Sequence, residues 1–224
     1  RQMCIRDSPY GCKRPPIDTN YFETYNRDNV HLVDIKKDPI IEIDKTGIKT
    51  ERNYFKLDTI VFATGYDAMT GTLINLNITG ENSLNLKDYW NEGPKTYLGL
   101  QIAGFPNMFT ITGPGSPSVL TNMPTAIEQH VEWITNCISF MIKNDFKKVT
   151  TSEKESVEWG KQVKEAADKT LLPTVKHSWY LGANIPNKPR VFMPYAGGLP
   201  TYTKICENIK NNNYKGFLFS KANH

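Results

Sequence analysis

The segment that most limits the possible folds is DTIVFATG, residues 58–65. Ile60, Val61, Phe62 and Ala63 form a continuous apolar run. A strand reads this way, rather than alternating, when both of its faces are covered, as in parallel sheets. A chain carrying such a strand needs layers on both sides of a sheet, so the expectation is an α/β architecture. The run closes on Ala63, Thr64 and Gly65, small residues that let another backbone or a flat ligand approach. Ligands of open α/β sheets collect at the carboxyl ends of strands. A tight turn with a small packing site would use the same three residues, and both readings stand at this point.

The flanking sequence supplies the other elements. Residues 9–29 read as a loop, and VHLVDI (30–35) alternates into a strand. PIIEIDKTGIKT (39–50) reads as two short strands joined by a turn near Asp44 to Gly47, with NYFKL (53–57) as a third. NMFTITGPG (107–115) is expected to be another apolar strand. Then the period changes: Ile127, Val131, Ile134, Ile138 and Met141 recur at steps of four and three, one face of a helix. Ser152 and Glu155 form a capping box that opens a second helix over about 153–170. The tail predicts a strand at RVFMPY, a helix near 199–211 and a strand at YKGFLF. Together these give α/β with a small antiparallel β-hairpin insertion.

Composition narrows the function classes. The 224 residues allow one large domain or two small ones. A net charge of +4, with no basic stripe interleaved with aromatics, argues against nucleic acid. No apolar run approaches about 18 residues, which argues against a membrane span. Cys4, Cys12, Cys137 and Cys206 lie far apart without a C-x-x-C pair, as expected for reduced thiols in a cytoplasmic protein. His31, His130, His177 and His224 lack metal-ligand spacing, so no metal is expected. Residues 1–8, RQMCIRDS, carry neither a signal nor a transit pattern and read as non-native or disordered.

Three further stretches carry candidate chemistry. In ITGPGSPSVLTNMPTAIEQHVEWI (111–134) a strand, a Gly-Pro loop and a helix follow one another. Thr121 or Asn122 would cap that helix and Pro124 suits its first turn. The free N–H groups at its start favour an anion or a polarised carbonyl oxygen. The glycines around Ser116 are misplaced for a nucleophile elbow. In PYGCKRP (9–15), Lys13 and Arg14 are adjacent, so in an extended loop they point to opposite sides and could serve two sites. In HSWYLGANIPNKPRVFMPYAGG (177–198), Trp179 and Tyr180 precede a Gly-Ala-Asn turn, an ordered aromatic loop. A plain connection, a solvated basic pair and core-packing aromatics account for the same residues.

In order and spacing, the stretches PYGCKRP, YFETYNRDNVHLVD, VFATGYDAMTG, GPKTYLGLQIAGFPNMFTITGPGSPSVLTNM, EQHVEWI, SWYLGANIPNKPRVFM and GGLPTY resemble the C-terminal part of type I Baeyer–Villiger monooxygenases, closest to the phenylacetone and cyclohexanone monooxygenase group. The resemblance runs from Pro9 to Phe219. It implies part of a two-dinucleotide-binding-domain flavoprotein fold. Residues 9–28 would be an interdomain loop from the NADPH domain, and 29–224 the C-terminal part of the FAD-binding domain with helical and lid segments. It also implies FAD and NADPH as cofactors, and insertion of one oxygen atom of O2 into a ketone through a C4a-peroxyflavin to give an ester or lactone.

Residue by residue, Arg14 matches the family's active-site arginine, a permanent cation suited to an anionic intermediate. Lys13 matches the lysine on the 2′-phosphate of NADPH. Ala63, Thr64 and Gly65 match the small residues beside FAD, followed by an aromatic and an acid, here Tyr66 and Asp67. Asn122 and Met123 match the helix start at the flavin's pyrimidine end. Pro117, Ser118, Val119, Leu120 and Met123 would shape the ketone pocket, and Trp179 would close over the nicotinamide cofactor. Cys12 departs from the family's more frequent Thr. The family's two GxGxxG motifs and its FxGxxxHxxxW motif lie upstream of the stretch matched here. The partner expected for this chain is therefore the N-terminal half of the same protein, and the chain alone is expected to be inactive. Two alternatives remain at this level: a related N- or S-hydroxylating flavin monooxygenase, and a non-catalytic truncated fragment.

Overall fold

The computed structural model describes residues 9, 11–12 and 17–221 of the chain. They fall into two compact units, one of residues 17–65 and one of residues 66–221 with 9, 11 and 12.

The smaller unit is built on an antiparallel meander. β1 (Ile40–Ile43), β2 (Gly47–Thr50) and β3 (Tyr54–Lys56) pair in sequence order, after a short helix α1 (Tyr21–Thr24). The hairpin and third strand expected from sequence are thus present. The β1–β2 turn forms because Asp44 Oδ1 accepts hydrogen bonds from the N–H of Thr46 at 2.7 Å and of Gly47 at 2.9 Å. Those bonds stabilise the charged carboxylate and hold its pKa below the ordinary value. Asp38 serves the β2–β3 turn the same way, accepting from Thr50 Oγ1, Asn53 Nδ2 and the Arg52 N–H.

The larger unit is mostly helical. Two short helices, α2 (Gly71–Asn75) and α3 (Leu86–Tyr89), precede three long ones, α4 (Met123–Lys143), α5 (Glu153–Asp168) and α6 (Leu199–Asn211). β4 (Lys148–Thr151) and β5 (Phe217–Ser220) pair antiparallel. Asn122 caps α4 through a hydrogen bond that its Oδ1 accepts from the Thr125 N–H, and Pro124 lies in the first turn. Ser152 Oγ caps α5 by accepting the Glu155 N–H at 3.2 Å. The core between these helices holds Trp133, Trp159, Tyr202, Leu98, Leu100 and Val149. Each aromatic's polar tip finds a backbone carbonyl: Trp133 Nε1 donates to Cys206 O, Trp159 Nε1 to Gly115 O and Tyr202 OH to Leu98 O. Their apolar bodies can therefore be buried without an unmet donor.

Several expectations are corrected. Residues 58–65 form no strand: they make no backbone hydrogen bond among the described residues, and Val61 is 83% and Phe62 69% exposed. A strand exists only where a neighbour completes its ladder, and no described segment pairs with this one. Residues 30–35 are irregular for the same reason. Residues 107–115 make a single isolated bridge, Phe109 to Gln101, because Asn107 and Thr112 turn the chain with positive φ. RVFMPY forms no strand: the Met193 and Tyr195 N–H groups donate to Tyr180 O and Ser116 O, which belong to no strand.

The burial face of α4 also differs. Ala126, His130, Trp133, Cys137 and Met141 are buried, whereas Ile127, Val131 and Ile138 are 38–44% exposed. Of the predicted face, Ile134 and Met141 pack on the core. α4 carries two apolar stripes about one residue apart, and periodicity alone does not choose between them.

Candidate functional site

The Gly-Pro loop, residues 113–118, is fixed from several sides. Gly115 has φ +89°, and a Cβ there would stand 2.8 Å from Thr96 Oγ1 and 3.0 Å from Trp159 Nε1. Only glycine fits that close approach. The Gly115 N–H donates to Met193 O at 2.6 Å, and its carbonyl accepts from Trp159 of α5. Thr96 Oγ1 donates to Pro114 O at 2.6 Å, and the Tyr195 N–H to Ser116 O at 2.7 Å.

His130 of α4 holds the loop's entry. Its Nδ1 accepts the N–H of Thr112 at 2.8 Å, so the neutral ring carries its proton on Nε2. Thr112 has φ +54°, a strained value for a β-branched residue, and this bond helps keep it there. His130 is fully buried, and burial pushes its pKa down to about 4. It is a structural acceptor at neutral pH, not a proton donor or a metal ligand. Cys137 and Cys206 are buried too, and burial raises both thiols to about 12, so they stay protonated and unreactive. Among the described residues no group of three or more His, Cys, Asp or Glu could hold a metal ion.

Beyond this loop the predicted pocket residues do come together. Pro117 and Ser118 are buried, and Val119, Leu120, Trp179 and Leu181 all pack on one apolar cluster of Ala167, Tyr180 and Phe192. The Trp179 and Tyr180 rings meet edge to face at 4.5 Å. Trp179 lies in a 3-10 turn, Trp179–Leu181, opened by Ser178, whose Oγ accepts the Tyr180 N–H. The Met193 N–H donates to Tyr180 O, closing the loop between them. Trp179 and the 117–120 loop, 59 positions apart at least, thus share one wall. Met123, the first residue of α4, is half-buried, and Asn122 is exposed at its start. A cavity of about 510 Å³ lies on α5's side of the cluster, lined by Trp159, Val163, Leu181 and Phe192. Its lining excludes residues 117–123, so it is not the predicted ketone pocket.

Ala63, Thr64 and Gly65 end the smaller unit, all exposed, with Gly65 at φ +87°. Lys13 and Arg14 lie outside the described residues. Sequence reasoning missed His130, Lys188 and Asn184. For His130 the signal was present in its register with Ala126, Trp133 and Cys137. Lys188 and Asn184 gave no signal, because their partners at 66–68 are about 120 positions away.

The start of α4 is suited to an anion or the electron-rich edge of a ligand. It is a 21-residue helix with no acidic residue in its first turn, and its capping Asn122 is exposed. Its positive end is therefore not neutralised from within.

No family model matches the chain. It is 41% identical over 206 residues to cyclohexanone 1,2-monooxygenase of Acinetobacter sp, covering 92% of this chain and 37% of that protein. A phenazine N-monooxygenase of Lysobacter antibioticus is 36% identical over 97% of this chain and 40% of its own length. Among solved structures, an oxidised steroid monooxygenase bound to NADP superposes with a TM-score of 0.86 at 44% identity, over 97% of this chain and 40% of that one. The chain thus spans about two fifths of the length of the curated relatives it matches.

Proposed function

We propose that the chain is the C-terminal portion of a Baeyer–Villiger monooxygenase, an enzyme that converts a ketone to an ester or lactone; its similarity to the relatives above supports that reading. The overall reaction consumes O2, NADPH and a proton and releases NADP+ and water. The observation that carries the reading is the shared wall of Val119, Leu120 and Trp179, which brings the pocket loop and the aromatic loop together as one apolar surface. FAD, when bound, supplies the chemistry that activates O2 with electrons from NADPH.

The chain's own residues have separable tasks in this reading. Asn122 and Met123 present the helix start to the electron-rich edge of the flavin, and Ala63, Thr64 and Gly65 give it a small-residue approach. Pro117, Ser118, Val119, Leu120 and Met123 enclose the ketone and exclude water. Trp179 covers the nicotinamide. Lys13 contacts the NADPH 2′-phosphate. Arg14 stabilises negative charge developing on the substrate oxygen, a task for a cation that stays charged at any working pH. Residues 9–28 would connect from the NADPH-binding domain, with 29–224 belonging to the FAD-binding domain and completed by the N-terminal half. Among the described residues no helix is long and apolar enough to cross a membrane. With its buried protonated thiols, that is in keeping with a cytoplasmic enzyme. The phenazine N-monooxygenase relative keeps a second reading open, in which the acceptor is a ring nitrogen.

The test is Arg14→Ala in the full-length enzyme, assayed by NADPH consumption and by ester formation from cyclic and aromatic ketones. NADPH oxidation should persist and ester should fall at least about a hundredfold, in the range of a lost oxyanion-stabilising donor. Normal ester yield from the variant would remove the role given to Arg14. Wild-type oxidation of phenazines but of no ketone would favour the second reading.

A further inference from the structure

We propose that Asp67 and Lys188 are positioning residues that clamp the Trp179 loop shut over the nicotinamide cofactor; this rests on the reading of Trp179 given above. The loop runs from Ser178 to Met193, and its far side reaches back to the chain just beyond Gly65. Lys188 Nζ pairs with Asp67 Oδ1, and the two side chains are 12% and 28% exposed, the least exposed of the ion pairs among the described residues. The same ammonium lies 3.4 Å from Ala68 O. Four residues earlier, Asn184 Nδ2 donates to Tyr66 O at 3.1 Å. Two side chains of one loop thus hold three consecutive residues of another segment.

The loop is shaped for this grip. Gly182 has φ +68°, and a Cβ there would meet the Lys188 stem at 3.1–3.2 Å. Glycine at 182 lets the lysine stem lie across the turn on its way to Asp67. Ile185, Pro186, Lys188 and Pro189 from the loop line a cavity of about 410 Å³ with Asp67 and Thr70. The two segments therefore meet through a few polar contacts rather than a filled apolar interface. A half-buried pair of this kind acts as a unit: removing one partner leaves the other charge partly desolvated and unpaired. A lysine stem is flexible, so the pair can also release as a whole. An anchor that holds and releases is what a loop needs if it closes on a cofactor and opens again.

The experiment is a double-mutant cycle in the full-length holoenzyme with Asp67→Asn, Lys188→Gln and their combination, plus Lys188→Arg. The measurements are KM for NADPH, kcat, global melting, and deuterium uptake of the peptide spanning 176–191 with and without NADP+. Each single variant should raise KM for NADPH about tenfold, with the double no worse than either single, because paired residues are non-additive. Uptake in the loop should rise in the neutralised variants, and Lys188→Arg should stay close to wild type. Additive losses, or a KM within about twofold of wild type at unchanged loop uptake, would overturn the clamp. So would a drop in melting temperature with no change in either readout. If wild type shows no NADPH dependence, the functional reading fails, while uptake in the cofactor-free protein still reports on the clamp.

Discussion

The Gly-Pro loop at 113–118 and the aromatic loop at 178–191 form neighbouring parts of one apolar wall but are held by different physics. The first is locked from beneath. A buried indole, a buried imidazole and several short backbone bonds fix it, and Gly115 leaves no room for adjustment. The second is tied from its far end, by one half-buried ion pair and an exposed amide. Buried hydrogen bonds resist opening, because each one broken exposes an unmet polar group to an apolar interior. Partly hydrated ion pairs can exchange protein for water at small net cost. One wall thus combines a half fixed by buried hydrogen bonds with a half whose far end is tied by polar side-chain contacts.

The contrast can be broken from the rigid side first. Trp159→Ala should remove both the core ring and the donor to Gly115 O, lowering stability by about 3–5 kcal/mol, read as a shifted midpoint in urea unfolding. A loss below about 1 kcal/mol would mean that the loop does not depend on this lock.

A somewhat smaller effect is expected from acid. The folded-state pKa of His130, about 4, lies below the ordinary value near 6.5, because burial disfavours the charged ring. No charged side chain contributes to that shift. The unfolded chain therefore binds this proton first as pH falls. His130 contributes its full stability above about pH 6.5 and loses it progressively down to about pH 4, at most about 3 kcal/mol. Replacement by Gln, which keeps an acceptor for the Thr112 N–H, should flatten the stability profile across that window. An unchanged slope would assign the acid loss to other groups.

The smallest effect should come from the movable side. Asn184→Ala removes an exposed hydrogen bond and should cost no more than about 0.5 kcal/mol of global stability. Deuterium uptake between 182 and 188 should nevertheless increase. A large global loss would make the aromatic loop as rigid as its neighbour and erase the distinction.

Much of the local structure was legible in the sequence because its causes are local. Asp44 and Gly47 announce their hairpin, Ser152 and Asn122 their helix starts, and Pro124 its first-turn place. The strand at 217–220 was also legible from its apolar run, although its partner β4 lies about 70 positions away. Val119, Leu120 and Trp179 were singled out by family pattern as pocket and lid candidates, and all three pack on one apolar cluster.

What failed had causes outside the segment concerned. The run at 58–65 carries the composition of a covered strand, yet strand formation is a property of two segments, and no described segment completes its ladder. The choice between the two apolar stripes of α4 was made by what α6 and the 97–100 loop present to it, placing Trp133 and His130 inside and leaving Ile127 and Val131 at the surface. The grip of Lys188 on Asp67 joins positions 121 residues apart. By itself the sequence determined the caps, turns and helices, since those energies come from neighbours within a few residues. The tertiary structure alone decided which apolar faces were buried and which distant charges met, since desolvation and pairing depend on what lies opposite in space.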